Sequence, residues 1–214
     1  ALQPQYLFTE QAFGDMWQRF SPEGMISVTV WMDYPARNSL KILATLVESL
    51  SKLDPEKKPE KHILAIRSWG TVTFVLKKSP VSPDEIRKIR EFCQQRNFDP
   101  LLLPDLNADE RSHFNQLQDH TFFELTDRLM QGDREELYRN YDFQIRPATD
   151  NKPYFSQFLK LDRLSKMNDI FGQGSVPFLE VGYLIVLLTF FQIALSAILL
   201  ILIVGIAIDL LIFS

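Results

Sequence analysis

From Val181 to Ile208 the chain carries no charged residue, and it stays almost wholly apolar to its end. A helix that crosses the hydrocarbon core of a bilayer, roughly 30 Å thick, needs about 20 such residues. A buried helix of a water-soluble protein is rarely this long or this unbroken, so residues 176–214 are expected to form a transmembrane segment. Two forms fit the length: one long tilted helix, or a helix followed by the start of a second. Asp209 marks where the span would leave lipid, since a carboxylate deep in a bilayer costs about 2.5 kcal/mol or more. The residues before it are charge-rich and read as a separate, water-soluble part. The net charge of −4 gives no electrostatic footprint for nucleic acid.

Flanking charge sets the expected orientation. Lys160, Arg163 and Lys166 precede the span and no Lys or Arg follows it, so the positive-inside rule places the soluble part in the cytoplasm. The single cysteine, Cys93, excludes an intrachain disulfide and fits a reducing compartment; its helical spacing from Ile86 and Ile89 makes it a buried thiol. Residues 154–175 form a juxtamembrane segment in which Phe155, Phe158, Leu159, Leu161 and Leu164 have amphipathic helical spacing. That helix either lies among lipid headgroups with Lys160, Arg163 and Lys166 toward anionic lipid, or packs on the soluble part with those cations in water. Within the span, Thr189, Gln192 and Ser196 share one helix face. They either hydrogen-bond another transmembrane helix, or Thr and Ser bond their own backbone carbonyls and Gln192 alone is significant.

The soluble part alternates helical and strand patterns. Thr9–Phe20 has one-faced helical spacing with Thr9 as cap, and Ser21-Pro22-Glu23-Gly24 makes a turn. Met25–Trp31 is a short β-branched strand, expected to be buried; Asn38–Leu53 is an amphipathic helix capped by Asn38 or Ser39. After a charged loop over 54–61, His62–Ser68 and Thr71–Lys78 are strands joined by a tight Trp69-Gly70 turn. Ser82-Pro83-Asp84-Glu85 opens a helix to about Arg96, and Pro100–Pro104 is a short strand. Residues 1–106 thus form an α/β sheet ending in an antiparallel hairpin, the arrangement of the C-terminal half of a Rossmann-like, methyltransferase-type sheet. Half a sheet leaves one edge of Met25–Trp31 open, to be covered by a missing N-terminal half or a protein partner. Residues 107–153 read as an irregular helix and loop extension.

Candidate chemistry is sparse. His62, His113 and His120 have no metal-ligand spacing, so no metal is expected. There is no Gly-rich phosphate loop and no nucleophile motif. The stretch from Asp142 to Phe155 is dense in Pro, charge and aromatic residues; it is a rigid connection, with Arg146 and Asp150 as candidate substrate contacts.

Several segments carry a resemblance: Tyr6–Phe13, Pro22–Trp31, Arg67-Ser68-Trp69, and above all Ile145-Arg146-Pro147-Ala148-Thr149-Asp150-Asn151-Lys152-Pro153-Tyr154-Phe155 ahead of the apolar helix. In these the chain resembles the C-terminal part of bacterial membrane proteins with a spermidine-synthase-like domain, whose motif corresponds here to Arg146, Pro147, Thr149, Asp150 and Pro153. The resemblance implies an S-adenosylmethionine-binding Rossmann-like fold in a bacterial inner membrane protein. It also implies transfer of an aminopropyl group from decarboxylated S-adenosylmethionine, or of a methyl group. The acidic residues that bind the nucleoside would precede Ala1, so this chain alone is expected to hold no cofactor and to act as anchor and docking part, either of such a transferase or as an accessory subunit of a membrane complex. Asn151-Lys152 stands where a second acid and an Arg are commoner, and Ala12-Phe13 where soluble members have a Phe-Tyr pair.

Overall fold

A computed structural model describes residues 3–117, 119–132, 134–160, 162–163 and 181–212, with side chains of the last segment described over 185–205. Residues 3–160 make one compact unit, and the C-terminal helix belongs to another. The stretch expected as an irregular extension, 107–153, is therefore built into the first unit.

In that unit, helix α1 (Glu10–Arg19) begins where the Thr9 hydroxyl accepts the amide N–H of Ala12, and it buries Phe13 and Trp17. Strand β1 (Met25–Trp31) follows the expected turn. Helix α2 (Asn38–Leu53) is the centre of the core, with Leu40, Leu43, Leu46, Val47 and Leu50 fully or almost fully buried. Neither Asn38 nor Ser39 caps it. Arg37 holds the cap position, and the carboxylate of Asp33 accepts the amides of Arg37 and Asn38 at 3.0 and 3.2 Å. A carboxylate there satisfies orphan donors and faces the positive end of the helix dipole, which a neutral hydroxyl does less well.

A one-turn helix, α3 (Pro59–His62), interrupts the expected loop and leads into β2 (Ile63–Arg67). The two-residue turn Trp69-Gly70 joins β2 to β3 (Thr71–Lys77), as the spacing predicts. Helix α4 (Pro83–Arg96) opens with a complete capping box between Ser82 and Glu85. Glu85 also holds Lys77 at 2.8 Å, and that contact, ahead of the Ser82 backbone bond, lowers the Glu85 pKa to about 2. Asn97, in the left-handed region, ends α4, and β4 (Asp99–Leu102) starts one residue before the expected strand.

The sheet order is β1-β3-β2-β4 and every hydrogen-bonded pair is antiparallel. It follows that β1 and β2, which α2 separates in sequence, run parallel to each other on either side of β3. Contrary to the buried strand expected, β1 is an edge: Met25 is 57% and Trp31 74% exposed. The face of the sheet under α2 carries Val72, Phe74 and Leu76, all buried. The opposite face near the edge carries Ser27, Thr29, Thr71 and Thr73, and the hydroxyls of Thr29 and Thr73 bond across the strands at 2.9 Å. Such residues tolerate water, which is why an antiparallel sheet can leave this face open.

Helices α5 (Thr121–Gln131) and α6 (Arg134–Asn140) bury Phe122, Phe123, Leu129, Leu137 and Tyr138. The amphipathic helix expected from residue 154 does not form over 154–160. Phe155 and Phe158 are instead wedged into the unit, Phe155 against Phe8 at 5.1 Å between ring centres and Phe158 under the Lys41 ammonium at 4.9 Å. Burial of two aromatic side chains outweighs a weak helical preference next to Pro153. In the second unit, α7 (Val181–Ile212) is one continuous helix of 32 residues, about 48 Å long. Its stretch Ile185–Gly205 has mean hydropathy 2.7 and buries nothing, so this helix is long and apolar enough to cross a membrane.

One buried ion pair ties the first unit together. The side chains of Arg67 on β2 and Asp99 on β4 are both 0% exposed, with Nη2 3.3 Å from Oδ2. Arg67 also donates to the carbonyl of Arg111 at 2.9 and 2.7 Å and to that of Asn115. Asp99 accepts the amides of Phe114 and Asn115, both at 2.8 Å. Removing one partner of such a pair strands the other charge, at a cost of about 3–5 kcal/mol. Asp99→Asn should therefore lower unfolding stability by about that amount. The double variant Arg67→Met, Asp99→Leu should recover much of it. Denaturant melts of the detergent-solubilised chain check this, and equal midpoints for wild type and Asp99→Asn would contradict it.

Candidate functional site

Open α/β sheets bind ligands in the crevice beyond the carboxyl ends of their strands. A cavity of about 500 Å³ lies there, just past β1. The loop 32–36 forms one wall; Leu117, Phe122 and Leu125 form the apolar opposite wall. Its polar residues are Asp33, Tyr34, Gln116, Asp119, Thr121 and Tyr141. Asp33 is engaged by the start of α2. The Tyr141 hydroxyl donates to the carbonyl of Ala36 at 2.6 Å, and burial pushes its pKa far up, so it stays neutral.

Asp119 is an exposed acid of this lining. Its Oδ1 accepts the Thr121 amide and hydroxyl at 2.8 and 2.5 Å at the entry to α5, and Oδ2 accepts the Tyr34 hydroxyl at 3.1 Å. The Thr121 bonds, then that of Tyr34, hold its pKa below the ordinary carboxylate range, while Asp119 in turn raises that of Tyr34. A fixed anion beside the Tyr34 phenol, in a cavity that Tyr141 also lines, suits a cation. It is a poor general base, because its proton affinity is depressed.

The motif region has a different task. Thr9 donates to Asp150 Oδ1 at 2.6 Å, Gln11 accepts the Asp150 amide at 3.1 Å, and the Glu10 amide donates to the Ala148 carbonyl at 2.9 Å. The Gln5 amide reaches the carbonyl of Pro153 at 2.6 Å, and Thr149 and Lys152 pair across a tight turn. Arg146 makes a bidentate pair with Glu135 at 2.8 Å and lies over the Tyr138 ring at 5.0 Å. Residues 146–153, Pro147 among them, thus form a clasp on the start of α1, remote in sequence from it by about 140 residues. The substrate-contact reading of Asp150 and Arg146 gains no support from these partners.

Of the three cations expected at lipid headgroups, Lys160 donates to the carbonyls of Tyr138 and Tyr141, both at 2.7 Å, and of Arg139 at 3.3 Å, closing the C-terminal end of α6. Arg163 lies 3.8 Å from Asp162, and Lys166 is outside the described residues. On α7, Thr189 donates to the carbonyl of Ile185 at 2.8 Å. Cys93 is buried as expected, and burial pushes its thiol up to about 11, which makes it inert. His62 is buried too, its Nδ1 3.0 Å from the Lys77 carbonyl, and burial lowers its pKa.

Tyr34, Asp119 and Tyr141 escape a reading of the sequence, since they lie up to about 100 residues apart. The one local signal was an Asp-Tyr-Pro run straight after a strand. These features define an α/β protein with a four-stranded antiparallel sheet, a cation-compatible cavity and a candidate transmembrane helix. No family model, curated protein or solved structure matches the chain.

Thr9 is the hinge of the clasp, since it caps α1 and holds Asp150 at once. Thr9→Ala should cost about 1–2 kcal/mol, and Thr9→Ser almost nothing. Thermal melts of the two variants test this; a Thr9→Ala melt at the wild-type midpoint would rule the clasp out.

Proposed function

We propose that this chain is the C-terminal part of a membrane-anchored, spermidine-synthase-like protein, in which it serves as anchor and docking part. The observation that carries this reading is the sheet: β1 and β2 parallel, the antiparallel β3 between them, and the outer edge of β1 open, although β4 pairs antiparallel outside β2, so the sheet does not end at the expected hairpin. A methyltransferase-type sheet ends on one side in an antiparallel hairpin and continues on the other through parallel strands, so β1 is where an N-terminal half or an accessory partner would add its strand. In the ladder with β3, Met32 and Gly24 bond inward. Alternation then turns the backbone groups of Ser27 and Thr29 outward. Edge groups of this kind pair readily with another chain. The apolar α7 supplies the anchor, in a bacterial inner membrane with the first unit on the cytoplasmic side.

The cavity beyond β1 favours the catalytic form of this reading, an aminopropyl or methyl transfer to an amine. Asp119, with the Tyr34 ring and hydroxyl beside it, would hold the cationic acceptor. The S-adenosyl cofactor does not fit the residues present: Asp33 is occupied by the start of α2, and no Gly-rich turn follows a strand. Its site would have to come from the N-terminal half.

Two measurements test these claims. Ser27→Pro removes an outward N–H without touching the β3 ladder; it should leave the melt of the chain unchanged while abolishing co-purification of the polypeptide that covers β1. Retention of that polypeptide at wild-type yield would count against edge pairing. For the acceptor, putrescine should bind the full-length protein, with Asp119→Asn weakening it about tenfold, the loss of one charge-assisted contact. Full-length protein that binds neither S-adenosylmethionine nor its decarboxylated form is not the proposed transferase.

A further inference from the structure

We infer that the apolar helix pairs with a second copy of this chain through Gln192. The inference rests on the reading of α7 as a membrane span. Among residues 185–205 the polar side chains are Thr189, Gln192 and Ser196. Thr189 returns its hydroxyl to the carbonyl of Ile185 at 2.8 Å, which meets its need for a bond within its own helix. Gln192 has no such solution: among the described residues its amide has no hydrogen-bond partner, and it lies on the exposed surface of the helix.

Depth removes the other escape. Gln192 is seven residues inside Ile185, about 10 Å along the axis, farther than a Gln side chain reaches toward the headgroups. An amide carries two donors and an acceptor, and hydrocarbon offers neither. It must therefore be satisfied by another protein helix.

The partner follows from symmetry. Copies of one chain insert in the same orientation, so two spans run parallel and residue 192 of each lies at the same depth. A two-fold axis between them makes the contact self-complementary, each amide donating to the carbonyl of the other. An unrelated helix would need its own polar group at that depth. The surrounding surface suits the approach. Ile185, Thr189, Gln192, Ser196, Leu199 and Ile203 fall within an arc of about 80° at spacings of three and four. That is the seam of a left-handed helix pair. The small Thr189 and Ser196 flank Gln192, so the two backbones come close enough for the amides to meet.

The test uses the full chain with donor or acceptor fluorescent proteins fused at its N-terminus, reconstituted in phosphatidylcholine vesicles. Energy transfer is followed as lipid is added, on protein that floats with the vesicles. Wild type should self-associate, and Gln192→Leu should require about tenfold higher protein density for half-association, which is what one interhelical amide contact contributes. Gln192→Asn, which keeps the amide, should stay close to wild type. Protein that does not float would overturn the anchor and the pair together. Floating protein that is monomeric at every density, or that dissociates identically with Leu at 192, would overturn the pair alone and leave the anchor standing.

Discussion

The first unit depends on the buried contact between Arg67 and Asp99. These residues face each other in the β2–β4 register, and between them they take up the carbonyls of Arg111 and Asn115 and the amides of Phe114 and Asn115. A guanidinium and a carboxylate without water need most of their hydrogen-bonding capacity filled. Here the loop 111–115 serves Asp99 and the Nε and Nη2 of Arg67, while Arg67 Nη1 is buried with no hydrogen-bond partner among the described residues. The loop is thus held against β2 and β4, ahead of α5, which starts at Thr121. Phe123 of α5 closes over the guanidinium at 5.4 Å, while its neighbours Phe122 and Leu125 wall the cavity beyond β1.

The two acids of the cavity illustrate how one contact serves two ends. Asp33 meets the start of α2 and Asp119 the start of α5, so each carboxylate answers orphan amides that would otherwise need water. The same placement fixes two anions around a space walled by aromatic rings. Fixed charge in a fixed cavity is the preorganised arrangement that recognises a cationic ligand at little entropic cost. The cavity's geometry is therefore a by-product of helix capping, whatever occupies it.

Local rules carried far in this chain. The capping box of Ser82 and Glu85, the Trp69-Gly70 turn, the apolar stripe of α2 and the unbroken hydropathy of α7 are each specified within a few residues, and each was legible. The open edge was legible as well, from the order of elements. The misreadings share a cause. The strand β1 looked buried because Val28 and Val30 are β-branched, but β-branched residues also suit a half-exposed edge. Residues 154–160 looked helical because two Phe residues fell three apart, although their burial against α2 and Phe8 is decided by tertiary contact. Lys160 had two readings, at lipid headgroups or packed on the soluble part, and its contacts are with α6, where three carbonyls converge on it from a segment about 20 residues away.

By itself, then, the sequence determined the order and type of the main elements up to β4, the apolar helix long enough to cross a bilayer, and the inert thiol of Cys93. Those follow from periodicity, capping and hydropathy, which act over one or two turns of chain. Only the tertiary structure decided that Asp150 clasps Thr9, that Arg67 finds Asp99, and that Tyr34, Asp119 and Tyr141 surround one cavity. These pairings join residues tens to more than a hundred positions apart, and they form because buried charges and amides must be satisfied wherever folding brings a partner.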